Sequence, residues 1–149
     1  MRQILEQRSG LSPEKIDTLC AFGRALLEKN QVMNLTAITE PQAVAELHFL
    51  DSIALLQAVD FQNQRVIDIG CGAGFPGVPL KIAEPSMELT LLDSLSADVE
   101  KMILSRAFDG IIVHGGALTR PIASLLIARR FPHIVICLLY TSPSPRDCS

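Results

Sequence analysis

Long apolar segments are absent from this chain of 149 residues. No run reaches the roughly 18 apolar residues that a helix needs to span a bilayer. Residues 1–10, MRQILEQRSG, contain no extended apolar stretch of the kind found in secretory signals. We therefore expect a cytoplasmic protein that has no membrane partner. The length is that of one ordinary domain, and an apolar content of 48% is sufficient for a hydrophobic core.

Cysteine and basic side chains are also sparse. The four cysteines have neither CxxC nor Cys/His ligand spacing, so we predict reduced thiols and no metal site at Cys20, Cys71, Cys137 and Cys148. Thirteen basic and 16 acidic side chains give a net charge of −3. This balance argues weakly against a nucleic-acid partner, because phosphate binding relies on Lys and Arg. The net charge does not exclude a local basic patch that binds nucleic acid.

The first 60 residues have the apolar periodicity of helices. Ser12 and Pro13 mark a helix start, and apolar residues then recur on one face until the pattern fades near Lys29. A second helix is predicted after Pro41, with one face made by Val44, Leu47, His48, Asp51, Leu55 and Ala58. Residues 1–60 are therefore predicted to form an N-terminal helical extension.

The period changes after residue 60. Val66–Ile69 is short, apolar and β-branched, as in a strand buried on both faces. A glycine-rich turn, a short helix over Val78–Ala83 and a second strand over Glu88–Leu92 follow. Strand, helix and strand within about thirty residues form a βαβ unit, which implies a parallel sheet.

The pattern weakens beyond this unit. Ser96–Ser105 favours a helix, and Ile111–Val113 and Ile134–Leu139 favour strands. We expect residues 61–140 to form a partial Rossmann-like α/β core. Residues 141–149, TSPSPRDCS, are polar and interrupted by proline, so we expect a disordered tail there.

The first predicted strand runs into the glycine-rich stretch VIDIGCGAGFPGVPL. Gly70, Gly72 and Gly74 form G-x-G-x-G, but residue 75 is Phe, so the dinucleotide fingerprint fails at its third glycine. No Lys-Ser or Lys-Thr follows, which excludes a P-loop. Glycine permits positive φ and lets a ligand approach the main chain. The alternative is that the glycines serve only tight contact between helix and strand.

Two carboxylates accompany this glycine loop. Asp68 lies near the end of the first strand, where it would accept hydrogen bonds from loop amides or from a ligand ammonium. Asp93 ends the second strand on the same edge of the sheet, 25 residues after Asp68. An acid at about this distance binds the ribose hydroxyls in nucleotide sites. The residues therefore predict a pocket for an adenosine-type ligand with little phosphate, and S-adenosylmethionine fits that description.

Four segments, taken in order, resemble one known family: NLTAITEP (34–41), HFLDS (48–52), VIDIGCGAGFPGVPLKI (66–82) and LLDSL (91–95). Over about residues 5–95 the chain looks like the bacterial 16S rRNA guanine-N7 methyltransferases (RsmG or GidB). The resemblance implies a Rossmann-like class I methyltransferase fold with an N-terminal helical extension. It further implies S-adenosylmethionine as donor and, as acceptor, a guanine in the 530 loop of 16S rRNA in the 30S subunit.

The predicted site combines both arguments. The cofactor-binding candidates are Asp68, Gly70, Gly72, Gly74, Phe75 and Asp93, of which the resemblance carries over Gly70, Phe75 and Asp93. The candidates on the pocket or substrate side are Asn34, His48, Asp51 and Arg106. No catalytic residue is predicted, because guanine N7 has a lone pair and no proton to lose.

Four of these candidates have a structural alternative. His48 and Asp51 are either a hydrogen-bonded pair at the pocket mouth or, as we favour, a core histidine with a carboxylate partner. Asn34 caps a loop or contacts RNA, and the cap is favoured. Phe75 either covers the adenine or fills the core.

The chain departs from the family pattern after Leu95. A Ser-Arg-Ala segment follows after only ten residues, at Ser105–Ala107, so that either a helix and a strand are left out or the likeness of this segment to the family is accidental. The ending LLYTSPSPRDCS resembles translated library-adapter sequence, so we expect a broken reading frame from about residue 96 and a fold that is incomplete at its C-terminus. Two alternatives therefore stand beside a monomeric rRNA enzyme: an inactive fragment of one, and a small-molecule methyltransferase.

Overall fold

The computed structural model describes residues 1–92, 108–114 and 134–137. These residues form two compact units. The helical unit contains Met1–Asp60 and Gly72–Ala83, and the sheet unit contains Phe61–Cys71 and the described residues from Glu84 onward. Asp93, Arg106, the helix predicted over 96–105 and the tail over 141–149 lie outside the described residues.

Two helices open the helical unit. Helix α1, Arg2–Arg8, was not predicted from the sequence. Helix α2, Pro13–Met33, begins as predicted, with Ser12 at the N-cap and Pro13 in its first turn. The helix continues beyond Lys29, where the apolar pattern of the sequence fades. It ends where Asn34 adopts a left-handed conformation, with φ 47° and ψ 52°.

A third helical stretch follows Pro41, as predicted. It consists of α3 (Pro41–Val44), a π-helical segment (Ala45–Leu50), α4 (Asp51–Ala54) and a 3₁₀ turn (Leu55–Gln57). Its buried side chains recur in pairs every four residues: Val44 and Ala45, His48 and Phe49, Ser52 and Ile53.

The face predicted for this stretch is therefore partly wrong. Leu47 is 54% exposed, and Asp51 and Ala58 are exposed as well. The physical reason is the π-helical segment, whose i→i+5 hydrogen bonds hold more residues per turn than the α-helical period assumes. The residues that are buried consequently differ from those that a period of 3.6 residues per turn predicts.

The core of the helical unit is formed by side chains from α1, α2, the third stretch and helix α5, Gly77–Ala83. Its buried members are Leu5, Ile16, Leu19, Cys20, Leu26, Val44, Ala45, Phe49, Ile53, Phe75 and Ala83. Lys15 Nζ donates to the carbonyl of Ala83 at 2.7 Å, which satisfies a main-chain acceptor at the end of α5.

The sheet unit contains four parallel strands: β1 (Arg65–Ile69), β2 (Glu88–Leu92), β3 (Gly110–His114) and β4 (Ile134–Cys137). Their order is β2-β1-β3-β4, so β1 is an inner strand. Its residues from Val66 to Ile69 are all buried, as its apolar and β-branched sequence predicts. The predicted parallel α/β architecture is thus confirmed for the described residues.

Cys20 and Cys71 are both buried. Within the described part of the chain, every helix is too short or too polar to cross a bilayer.

Candidate functional site

The carboxyl end of β1 is a topological switch point of the sheet. The chain passes from β1 to β2 on one side and then returns to β3 on the other side of β1. In open parallel sheets, ligands bind in the crevice outside such carboxyl ends. The residues that follow β1 directly are those of the glycine loop, residues 70–76.

Main-chain hydrogen bonds attach the start of this loop to the end of β2. The amide of Gly70 donates to the carbonyl of Leu92 at 2.6 Å, and the amide of Cys71 donates to the same oxygen at 3.3 Å. The register agrees, since Ile69 is paired with Leu92. The first two residues of the loop, Gly70 and Cys71, therefore meet the end of β2 at one edge of the sheet. Asp93, the next residue in the chain, lies outside the described residues.

The three glycines of the motif all have positive φ, at 78° for Gly70, 49° for Gly72 and 97° for Gly74. Their surroundings differ. A Cβ on Gly74 would lie 2.8 Å from Cγ2 of Val78, so Gly74 serves close contact with α5. Apart from its chain neighbours, no described residue lies within 4 Å of the position that a Cβ on Gly72 would take. Gly72 therefore fits the ligand interpretation and Gly74 the structural one.

Asp68 is fully buried in β1, in register with Leu91 on one side and Ile112 on the other. A buried carboxylate is costly unless hydrogen bonds or charges compensate it. This position suits support of the loop as well as contact with a ligand, and both interpretations of Asp68 stand.

Phe75 is buried in a cluster of four rings within the helical unit. Its ring stacks on His48 with centroids 4.4 Å apart and an interplanar angle of 15°. Phe22 and Phe49 lie against it with centroid distances of 5.5 Å and 5.9 Å. The structure favours the core-filling alternative for this side chain. The predicted contact of Phe75 with the cofactor stays a prediction.

His48 is buried, and its Nε2 lies 2.9 Å from Oγ1 of Thr36. Burial lowers the pKa of His48 below its ordinary value, and the nearby charge of Asp51 opposes this only in part. The Thr36 hydroxyl also accepts the amide of Ile38 at 3.1 Å. Because a hydroxyl has a second lone pair as well as its hydrogen, the direction of its bond with Nε2 follows the tautomer of the ring. A neutral ring that accepts this hydrogen bond carries its proton on Nδ1.

Thr36 is held in turn by Asn30 near the end of α2. The Asn30 side-chain amide donates to the Thr36 carbonyl at 2.9 Å, and its oxygen accepts the Thr36 amide at 2.8 Å. Sequence reasoning missed both residues. The one available signal was that Thr36 falls within the segment NLTAITEP.

Two other candidates have structural explanations. Asn34 is the C-cap residue of α2. Its main-chain amide donates to the carbonyl of Asn30 at 3.3 Å, in agreement with the favoured cap interpretation. Asp51 is exposed. The hydrogen-bond partner of His48 Nε2 is Thr36, and not the carboxylate that we expected from the sequence. Within the described residues, no cluster of three or more His, Cys, Asp or Glu side chains is arranged to hold a metal ion.

These features define an α/β protein with a parallel sheet and a glycine loop at its switch point, an arrangement typical of nucleotide- and nucleoside-binding proteins. Comparison with known families gives a closer assignment. The family model of rRNA small subunit methyltransferase G (GidB) matches residues 15–108. The chain belongs to this family, which is one of the class I methyltransferases.

Curated relatives agree with the family match. The chain is 52% identical over 86 residues to ribosomal RNA small subunit methyltransferase G of Alkaliphilus oremlandii (strain OhILAs), covering 57% of this chain and 36% of that protein. The protein of the same name in Desulfitobacterium hafniense (strain Y51) is 49% identical over 86 residues, with 58% and 35% covered. That of Caldanaerobacter subterraneus subsp. tengcongensis is 48% identical over 101 residues, with 64% and 42% covered. The matches thus span about two-fifths or less of these relatives' length.

Proposed function

We propose that this chain binds S-adenosylmethionine at the glycine loop and methylates ribosomal RNA, at N7 of a guanine in the 530 loop of 16S rRNA. The cofactor would be held by main chain at Gly70 and Gly72 and by the carboxylates of Asp68 and Asp93. We further propose a monomer acting in the cytoplasm, in which residues 1–60 extend a Rossmann-like core over residues 61–140.

One observation carries the cofactor part of this proposal. The amides of Gly70 and Cys71 share the Leu92 carbonyl, which brings the glycine loop to the strand end that Asp93 follows in the chain. A glycine-rich main chain and a ribose-binding carboxylate at one sheet edge are what an adenosyl ligand requires. Gly72 supports the same proposal, since no described residue apart from its chain neighbours lies within 4 Å of the position that a Cβ would take there.

The chemistry asks little of the protein beyond binding and orientation. When bound, S-adenosylmethionine supplies an electrophilic methyl group on its sulfonium. Guanine N7 attacks with a lone pair, so the chain has no proton to remove. Holding the two reactants in line supplies up to about 7–11 kcal/mol of the barrier reduction. Carboxylates near the reacting atoms would favour the positive charge that moves to the base.

The acceptor sets a second requirement. In paired RNA, N7 faces a deep and narrow groove that side chains do not enter. The target guanine therefore has to be presented in a loop or displaced from its stack. The family membership and the names of the relatives support an rRNA substrate over a small molecule.

Calorimetric titration of the whole chain with S-adenosylhomocysteine tests the cofactor site. We expect micromolar binding, and a loss of about tenfold or more in Asp93→Ala, because the ribose hydroxyls lose a charged acceptor. Glu28→Ala, which removes a carboxylate at an exposed position of α2, serves as the matched control and should bind like the unaltered chain. Absence of heat with the unaltered chain would instead favour the inactive-fragment alternative.

A further inference from the structure

A continuous series of contacts leads from α2 to the glycine loop, entirely within the helical unit. Asn30 makes two hydrogen bonds to the main chain of Thr36. The Thr36 hydroxyl reaches His48 Nε2 at 2.9 Å, and the His48 ring lies nearly parallel to that of Phe75. Phe75 follows Gly74 directly in the chain.

The loop needs such a support because its own sequence does little to fix its conformation. Glycines at positive φ leave the main chain free to adopt many other conformations. A cofactor site needs one conformation that is already held before the ligand binds. Phe75 is the large side chain of the loop, so whatever holds its ring also restrains the main chain at Gly74.

The His48 ring holds Phe75 in a specific way. A stacked contact restrains the tilt of a ring but leaves it free to slide and to turn in its plane. The hydrogen bond between Thr36 Oγ1 and Nε2 removes that freedom, because it attaches one atom of the His48 ring to a residue whose main chain is itself held by Asn30. A phenylalanine at position 48 would stack equally well but would leave the Thr36 hydroxyl without this hydrogen-bond partner.

We propose that Thr36 and His48 are positioning residues for the cofactor loop, which act through Phe75 to hold Gly72–Phe75 ready for the adenosyl ligand. Neither residue needs to touch the cofactor. The inference rests on the proposed function, since it names how that same site is kept in shape.

The test compares Thr36→Val with Thr36→Ser. Valine keeps the shape and removes the hydroxyl, while serine keeps the hydroxyl. We expect Thr36→Val to bind S-adenosylhomocysteine about tenfold more weakly and Thr36→Ser to bind within about twofold of the unaltered chain, since only valine loses the hydrogen bond. Thr18→Val is the matched control, because the Thr18 hydroxyl bonds to the Glu14 carbonyl on the exposed side of α2.

Two readouts separate positioning from folding. Binding is measured at a temperature where circular dichroism shows each variant to be folded. The amide resonances of Gly72 and Gly74 are compared in the ligand-free chain, where Thr36→Val should shift them and Thr36→Ser and Thr18→Val should leave them in place. If Thr36→Val does not fold, His48→Phe is used instead, and the same weakening is expected of it.

The outcomes are distinguishable. Unchanged affinity and unchanged glycine resonances in folded Thr36→Val, beside an unaltered chain that binds, would overturn the positioning role alone. Lack of binding by the unaltered chain would overturn the proposed function and this role together.

Discussion

Gly72 and Gly10 have the same kind of backbone conformation in different parts of the helical unit. Their φ values are 49° and 67°, and a Cβ at either would meet no described residue beyond its chain neighbours within 4 Å. Alanine at either position should therefore cost about 1 kcal/mol of unfolding free energy, from backbone strain alone. Gly10 lies between α1 and α2, so it serves as a matched control for the loop.

We expect Gly72→Ala, and not Gly10→Ala, to weaken S-adenosylhomocysteine binding about tenfold, because the new methyl group occupies the space where a ligand meets the main chain. Calorimetry measures the affinity, and urea unfolding checks that both variants lose the same stability. Equal affinities in the two variants would contradict the ligand-side role of Gly72.

Gly74 should respond differently. Alanine there would place its methyl group 2.8 Å from Cγ2 of Val78, which is stiff because it is β-branched. We expect Gly74→Ala to lose about 1–3 kcal/mol more stability than Gly72→Ala, since overlap is added to strain. The double variant Gly74→Ala/Val78→Ala should recover part of this loss, with Val78→Ala alone as the reference. A double variant whose loss equals the sum of the single losses would exclude the proposed overlap.

His48 makes the stability of the helical unit depend on pH. Burial lowers the pKa of its folded form below the ordinary value, so the unfolded chain binds the proton more readily. Stability should be fully present above the unfolded pKa, near 6.5, and should fall as the pH drops below it. His48→Phe should show a smaller loss between pH 7.5 and pH 5. Urea unfolding followed by circular dichroism measures this, since the chain has no tryptophan. An equal loss in the variant would show that other groups dominate.

At the scale of elements, the segment that follows α2 is held by a side chain of that helix. Asn30 satisfies both main-chain groups of Thr36, which fixes the segment that follows the helix. We expect Asn30→Ala to cost about 1–3 kcal/mol and to speed amide exchange at Thr36, because two hydrogen bonds are lost. Gln31→Ala, at the exposed next position, is the control and should leave both quantities unchanged. Slow exchange at Thr36 in Asn30→Ala would show that the segment is held by other contacts.

The strands and most helices could be predicted because their apolar periods are local properties of the chain. β2 over Glu88–Leu92 and the start of α2 at Pro13 agree with the structure. The buried face after Pro41 could not be predicted, since a π-helical segment changes the number of residues per turn. Helix α1 was missed because a seven-residue helix with a single buried side chain, Leu5, has too short an apolar pattern to recognise.

At the scale of the whole molecule, the chain matches about two-fifths or less of its curated relatives' length. In our proposal, cofactor binding involves one loop and two strand ends, whereas methylation of rRNA also requires a surface that recognises the acceptor. The two properties can therefore be separated by experiment.

We expect transfer of labelled methyl groups from S-adenosylmethionine to 30S subunits, recovered as N7-methylguanine after digestion of 16S rRNA. Asp93→Ala should reduce the transfer in proportion to its loss of affinity when the donor is scarce. Label in small metabolites and not in RNA would contradict the proposed substrate. Binding without any transfer would identify an inactive fragment.

The parallel α/β class, the glycine loop after β1 and the family could be predicted from the amino-acid sequence, because strand period, glycine spacing and short motifs are all local. The fold was needed to learn which glycine has no described residue near its Cβ position, that Phe75 is buried against His48, and that Thr36 bonds to that histidine. These facts depend on side chains brought together from positions far apart in the chain. The number of residues between two such side chains in the sequence does not indicate the distance between them in the fold.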